Sequence, residues 1–445
     1  MAHVQKRTRS DGKPVYVVKY RTPDGKGRSK GGFLTKKSAE AYATTVDYRT
    51  DRGGTFDPRA GHVVFRDAAT AWLKTRLDLK PRTREGHTRL LSPRQHRTAT
   101  TTLSIDATFG GYPLNRITRQ QVADWVAAQS RAGLKPSTVR NAFFVLHQVL
   151  AQAVVDGQLV VNPSDNARLP TEHSTGGKAV GVVDDPAQFL TAGQVAALVE
   201  ATPWPYDVLV QLAAWCGLRA AELDGLQVGD VTLPQAPSKP GMLRVERTVL
   251  YLGGELVHDS PKTRGSRRRV PLPADTAAVL GEYIAAHPRA HEPDAPLFPG
   301  FRMTPARRTG YRTTTDAVAA RAALSVTDAG ARLTLDWESP LHHGSFYRNV
   351  YRPAVLRACR LTLGVGLPPD LRFHALRHTY ASLCVSAGIP ALSIAKFMGH
   401  SKVTTTLTIY AHLFDDDHSA AMTALGALTA PRPAAANVVP IRGVS

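Results

Sequence analysis

Hydrophobic positions change rhythm along the chain, and each rhythm predicts a different kind of structure. In residues 1–57 the runs Val15–Tyr20 and Arg28–Phe33 read as strands joined by a turn at Pro23–Gly27. Thr35 is placed to cap a helix that continues to about Arg49, and Arg52–Pro58 reads as a linker by its Gly and Pro content. Residues 62–170 carry a helical period. Phe65–Leu77 sets Ala68, Ala69, Trp72 and Leu73 on one side, Thr118–Arg131 does so with Val122, Trp125 and Val126, and Pro136–Asp156 repeats Val139, Phe143, Leu146, Leu150 and Ala153. The polar stretch Arg82–Thr102 fits a loop or a longer helix. Asn162-Pro163 closes this region, and Leu169–Asp185 is a second linker.

Residues 188–425 predict a larger mixed domain. Thr191-Ala-Gly-Gln194 has the form of a capping box, followed by helices at Pro205–Trp215 and Arg219–Leu226. Strand-like pieces come next at Leu243–Tyr251, Glu255–His258 and Arg267–Leu272. Helices return at Ala274–His287, Phe346–Cys359, His374–Ala387, Pro390–Met398 and Lys402–Leu413, while residues 301–345 show no clean period and read as an insertion. Residues 426–445, rich in Ala and Pro, predict a flexible tail. The expected fold class is therefore multidomain and mainly α with small β-sheets: a small β-sheet-plus-helix unit, a helical domain and an α+β domain.

Charge narrows the partner. Lys and Arg number 56 against 36 Asp and Glu, a net +20 over 445 residues, which favours a polyanion such as nucleic acid and disfavours a cationic partner. Residues 1–57 alone hold 13 Lys and Arg against 6 Asp and Glu, so a unit with a thin core is expected to work by lying on that polyanion. Arg outnumbers Lys by 41 to 15, which suits bidentate phosphate contacts and also fits a GC-rich coding sequence. Cys216, Cys359 and Cys384 are far apart in apolar surroundings and read as small buried residues of a reducing compartment. The start MAHVQKRTRS lacks a secretory core, and runs such as Val208–Trp215 are too short to span a bilayer, so a soluble, cytoplasmic protein is expected.

Three segments of the last domain could carry chemistry. They are Cys216-Gly-Leu-Arg-Ala-Ala-Glu-Leu-Asp-Gly-Leu226, His374-Ala-Leu-Arg-His-Thr-Tyr-Ala-Ser382, and Met398-Gly-His400 followed by Tyr410. His374 and Arg377 stand at i,i+3, as do Arg219 and Glu222, whose carboxylate could hold the guanidinium. Gly399 reads as a helix C-cap that puts His400 at a turn. Each piece alone is ordinary: Arg-x-x-Glu is commonly a surface pair, and Tyr380 or Tyr410 would commonly be a half-buried core residue. His378 reads as a structural hydrogen-bonding residue, and His342-His343 as loop.

Taken in order, these segments resemble the tyrosine recombinases, the phage integrase family. The family's succession is an Arg in Gly-Leu-Arg-x-x-Glu-Leu, a Lys on a β-hairpin, His-x-x-Arg-His, Gly-His, and a Tyr about ten residues on. Here these positions are Arg219, Lys262, His374, Arg377, His400 and Tyr410. The resemblance covers about 188–425 as the catalytic domain. It likens 62–170 to the helical core-binding (SAM-like) domain, and 1–57 to the arm-type DNA-binding domain of mobile-element integrases.

The resemblance implies a chemistry that needs these residue types. Tyr410 attacks the scissile phosphate to give a 3′-phosphotyrosyl link. Arg219 and Arg377 clamp the non-bridging oxygens as charge builds, with Glu222 orienting Arg219. His374 acts as base towards Tyr410, His400 donates a hydrogen bond, and Lys262 protonates the 5′-oxygen. Exchange then passes through a Holliday junction within four protomers. No metal and no cofactor are expected, since no Asp/Glu cluster suited to Mg²⁺ is present. Further DNA contacts are expected from Arg264 and Arg267 on the Pro261–Leu272 hairpin and from Lys19, Arg28 and Lys30 in the N-terminal unit. The partners implied are double-stranded DNA attachment sites, a homotetramer on DNA, an excisionase and a DNA-bending host protein. Ala420–Leu428 is a candidate for the segment that links protomers. Two other readings share the constellation: a DNA-binding regulator of the same fold without chemistry, and a type IB topoisomerase.

Overall fold

The computed structural model describes residues 2–21, 25–51, 60–93, 104–171, 189–236, 239–259, 267–304, 313–362 and 364–410, with 422, 423 and 426. Contacts divide the chain into two compact units, Met1–Val180 and Gly181–Ser445. Among the described residues no helix is long and apolar enough to cross a membrane.

The first unit opens with an antiparallel sheet of β1 (His3–Thr8), β2 (Pro14–Arg21) and β3 (Gly27–Phe33), followed by helix α1 (Lys36–Asp51). The expected two strands are thus joined by a third, β1. Its sequence, HVQKRT, is too polar to announce itself, and pairing with β2 is what makes it a strand. Val18 and Tyr20 pack on Ala39, Ala43 and Val46 of α1, and Thr35 Oγ1 accepts the Ser38 N–H as a helix cap. A second core in this unit is helical, from α2 (Phe65–Thr75), α3 (Pro81–Leu91), α4 (Ile105–Phe109), α5 (Arg119–Arg131) and α6 (Pro136–Val155). The undecided stretch from Arg82 is helical as far as Leu91. A capping box between Thr118 and Gln121 starts α5, as its Thr-x-x-Gln spelling allows.

The second unit is mixed α and β. Helices α7 (Ala192–Glu200), α8 (Tyr206–Cys216) and α9 (Ala220–Leu223) precede β4 (Val231–Thr232), β5 (Met242–Val245), β6 (Thr248–Leu252), β7 (Glu255–Asp259) and β8 (Arg268–Pro271). Leu243–Tyr251 is therefore two strands: β5 lies between β4 and β8, whereas β6 pairs with β7 in a separate hairpin. The chain continues through α10 (Ala274–Ala285), β9 (Pro299–Met303), α11 (Thr314–Ala322), α12 (Val326–Ala331), β10 (Leu333–Pro340), α13 (His343–Phe346) and α14 (Arg352–Leu361). It closes with α15 (Ala375–Ser386), α16 (Ala391–Met398) and α17 (Val403–Tyr410). The expected caps hold: Thr191 and Gln194 form a capping box, and Gly399 ends α16 at φ +65°.

Residues 301–345 are not a featureless insertion. β9 and β10 pair antiparallel, and Phe301, Leu333, Leu335 and Trp337 pack against the main core. Each strand contributes too few apolar residues, and α11 and α12 are too short and Ala-rich, for a period to show. The segment is fastened by Arg357 of α14, only 1% exposed. Its guanidinium donates to Leu324 O (2.8 Å), Arg321 O (2.9 Å) and Ala201 O (2.6 Å), closing the ends of α11 and α7. Arg357→Met fills similar space but strands these carbonyls. It should cost about 3 kcal/mol in urea unfolding of the full chain, and a change within about 0.5 kcal/mol would show that the carbonyls find other partners.

Candidate active site

Helix α8 ends at Gly217, whose φ of +61° turns the chain sharply. A Cβ there would lie 2.2 Å from Tyr380 Cδ1, so only glycine lets the turn close against that ring. The turn delivers Arg219, extended at φ −78° and ψ 152°, as the cap of α9. Glu222 folds back to accept the Arg219 N–H at 2.8 Å and its Nη1 at 2.9 Å, the pairing that i,i+3 spacing allows.

Glu222 has a second partner. Arg268, at the start of β8, donates to both carboxylate oxygens at 2.9 and 2.8 Å. Glu222 is 1% exposed. Burial pushes its carboxyl up, but the hydrogen bonds and charge of Arg268, then Arg219, outweigh that and hold it down at about 2. Arg268 follows Glu222 by 46 residues, and nothing in the Arg267-Arg-Arg269 run distinguishes it from its neighbours.

The C-terminal end of α16 gathers three guanidinium groups on three successive carbonyls. Arg268 donates to Phe397 O at 2.5 Å, Arg377 to Met398 O at 2.7 Å, and Arg219 to Gly399 O at 3.3 Å. These are orphan acceptors at the negative end of a helix, a suitable anchor for cations. Arg377 also donates to Gly217 O, so it ties the turn after α8 to the turn after α16. At 4% exposure, burial and then Arg219 lower its guanidinium to about 9, which leaves it charged at neutral pH.

His400 follows these carbonyls. Burial, then Arg377 and Arg219, pushes its imidazole to about 3, so it is neutral in ordinary buffers. Its Nδ1 lies 2.7 Å from Thr406 Oγ1. When the threonine donates, the ring proton is on Nε2, available to an incoming acceptor. His374, just ahead of α15, is exposed. Packing around the ring, then Arg377 and Arg219, lowers its pKa.

Tyr410 ends α17 at 1% exposure, against Tyr380, Cys384, Ile394 and Met398. Burial raises its phenol to about 12, with Arg377 pulling it down. Its hydroxyl lies 2.8 Å from Nδ1 of His378. Among the described residues His378, and not His374, is its hydrogen-bond partner. His378 is thus a hydrogen-bonding residue as expected, but its partner is the candidate nucleophile, 32 residues away and invisible to local spacing.

Other candidates fall differently. Lys262 and Arg264 lie outside the described residues, as does Ala420–Leu428 apart from residues 422, 423 and 426. Arg267 is exposed at the foot of β8. Lys19 pairs with His3 and Ser29, whereas Arg28 pairs with Tyr20 and Lys30 with Val18. Directly opposed residues share a sheet face, so Lys19 is on the open face and Arg28 and Lys30 are on the α1 face. Lys30 Nζ stands 4.5 Å over the Tyr42 ring. Cys216 and Cys384 are buried, but Cys359 is only partly so. His342 is a helix cap rather than plain loop: its Nδ1 accepts the Ser345 N–H at 3.2 Å.

The Phage integrase family profile matches residues 340–417, the stretch that holds His374, Arg377, His400 and Tyr410. A prophage phiRv2 integrase of Mycobacterium tuberculosis is 24% identical over 398 residues, covering 88% of this chain and 87% of the relative. A XerC-like tyrosine recombinase of Caldanaerobacter subterraneus is 23% identical over 425 residues, covering 92% of this chain and 96% of the relative. The solved Tn1549 transposon integrase, in complex with transposon right-end DNA, shares the fold at TM-score 0.53 and 20% identity, over 83% of this chain and 100% of that one. Residues 340–417 thus match the phage integrase family, and most of the chain is similar to tyrosine-type site-specific DNA recombinases.

Proposed function

We propose that this chain cuts and rejoins double-stranded DNA at attachment sites, integrating and excising a phage or other mobile element, with Tyr410 as nucleophile. The observation that carries this reading is the convergence of Arg219, Arg377 and Arg268 on the carbonyls of residues 397–399, directly ahead of His400 in the chain. Such a cluster is a preorganised anion site: its donors are fixed before the substrate arrives, so little reorganisation is needed in the transition state. Arg219 and Arg377 take the non-bridging oxygens of the scissile phosphate. Neutral His400 donates from Nε2, with the Thr406 hydroxyl donating to its Nδ1. Lys262 supplies the proton to the departing 5′-oxygen. His374, the exposed imidazole of the set, exchanges the transferred proton with solvent. The products are a 3′-phosphotyrosyl bond and a free 5′-hydroxyl, and that of a partner duplex reverses the step.

Residues 1–57 bind DNA in this reading. Lys19 shares the open sheet face with Arg7 and Arg21, all exposed, which favours that face over the one occupied by α1. Residues 62–170 embrace the core site, and four protomers bring two sites together. An excisionase and a DNA-bending host protein would set direction, and the work is done in the cytoplasm.

The test is a duplex of the recombination site, mapped from element–chromosome junctions, with a nick beside the cleavage point. The wild-type chain should become covalently trapped on it. Failure to trap any such duplex, with binding intact in a gel shift, leaves a DNA-binding regulator as the reading. Relaxation of supercoils without a specific site would point to a topoisomerase.

A further inference from the structure

We propose that His378 is a positioning residue for the nucleophile: its Nδ1 accepts the hydrogen bond of the Tyr410 hydroxyl and so fixes where that oxygen points. The inference rests on the reading of Tyr410 as nucleophile. Its basis is geometric. Tyr410 Oη and His378 Nδ1 stand 2.8 Å apart, and Phe189 meets both rings edge-on, at 6.4 Å from His378 and 6.5 Å from Tyr410. The phenol is thus held at its tip by one acceptor and along its ring by an aromatic wall.

His378 is rooted well for this task. It directly follows Arg377, whose guanidinium is tied to Gly217 O and Met398 O. On its other side Thr379 Oγ1 accepts the Leu190 N–H at 3.0 Å, which anchors the segment carrying Phe189. Any movement of the phosphate clamp therefore moves the acceptor of the nucleophile with it. His374 stands one helical turn earlier, its ring 5.0 Å from that of His378 and nearly perpendicular at 87°. That contact orients the His378 ring, while His374 itself remains at the solvent edge.

An imidazole held neutral by burial is a good acceptor and a poor proton store. His378 accordingly keeps Tyr410 protonated and aimed until a phosphate enters. In attack, the phenolic oxygen forms the bond to phosphorus, its proton leaves through the imidazoles, and the P–O5′ bond breaks with a proton delivered to O5′.

Two substitutions separate the acceptor atom from the packing. His378→Asn places a side-chain oxygen near the Nδ1 position, whereas His378→Phe keeps the ring against Phe189 and Tyr410 but offers no acceptor. On the nicked duplex, His378→Phe should slow covalent trapping about 10- to 100-fold, the cost of one hydrogen bond to a reacting group. His378→Asn should stay within about threefold of wild type, and both should bind the site equally in a gel shift. Trapping by His378→Phe at the wild-type rate overturns the proposal, and so does an Asn variant as slow as the Phe variant. A readout without DNA stands beside these. In ¹⁵N-histidine-labelled protein the His378 Nδ1 resonance, identified by its loss in His378→Asn, should shift when Tyr410 is changed to Phe. An unmoved resonance refutes the hydrogen bond even if no adduct is ever trapped, whereas a shifted resonance without trapping sinks only the assignment of Tyr410 as nucleophile.

Discussion

Tyr410→Phe is expected to abolish the covalent adduct on the nicked duplex while site binding persists. The substitution removes one oxygen from a side chain packed among Tyr380, Cys384, Ile394 and Met398. The ring stays, so the fold loses only the hydrogen bond to His378, worth about 1 kcal/mol. Chemistry loses everything, because no other group can take the phosphoryl bond at that place. Tyr380, the other tyrosine of the cluster, is wedged against Gly217 and is itself buried. Arg377→Lys makes the instructive contrast. It keeps a charge but loses the planar fork that serves Gly217 O and Met398 O, so trapping should fall by about 10²–10³-fold rather than vanish. An adduct that survives in Tyr410→Phe, mapped to another residue by peptide mass, would overturn the assignment of the nucleophile.

The second large effect concerns Glu222. Glu222→Ala should lower the stability of the full chain by about 3 kcal/mol at pH 7, since it leaves Arg268 buried without its counter-ion. Its carboxyl is held at about 2 in the fold, below the usual 4.5. A lowered pKa contributes stability that is fully present above about pH 4.5 and is lost as the pH falls towards 2. Urea unfolding measured from pH 7 down to pH 2 should therefore show an acid limb in the wild type that is flattened in Glu222→Ala. The same variant frees Arg219 from its orienting partner, so trapping should fall as well. Equal stability of the two proteins at pH 7 would mean that the Arg219–Glu222–Arg268 group contributes nothing net.

Several site features were readable because they are local. Arg219 and Glu222 pair across one turn, Gly399 ends a helix where the chain needs a positive φ, and Thr191-x-x-Gln194 forms the cap it spells. In each, the interacting groups are three residues apart or fewer, so backbone geometry alone brings them together. The strands were harder. β1 lacks an apolar face, and the division of Leu243–Tyr251 between two sheets depends on which partners β5 and β6 find. Lys19, Arg28 and Lys30 looked equivalent as basic strand residues. The register separates them, with Lys30 spent over the Tyr42 ring on the α1 side.

By itself the sequence determined the kind of chemistry and its order: two arginines, two histidines and a tyrosine in a fixed succession, on or beside the ends of helices whose caps and periods are written locally. The tertiary structure alone decided how those residues are held. It chose Arg268 from a run of three arginines to share Glu222, set three guanidinium groups on the carbonyls of residues 397–399, and put His378 rather than His374 on the Tyr410 hydroxyl. The physical reason is range. Helix periods and caps are fixed within a turn or two of chain. A buried charge or a helix-end carbonyl takes whichever partner the packed fold brings within about 3 Å, however far along the chain that partner lies.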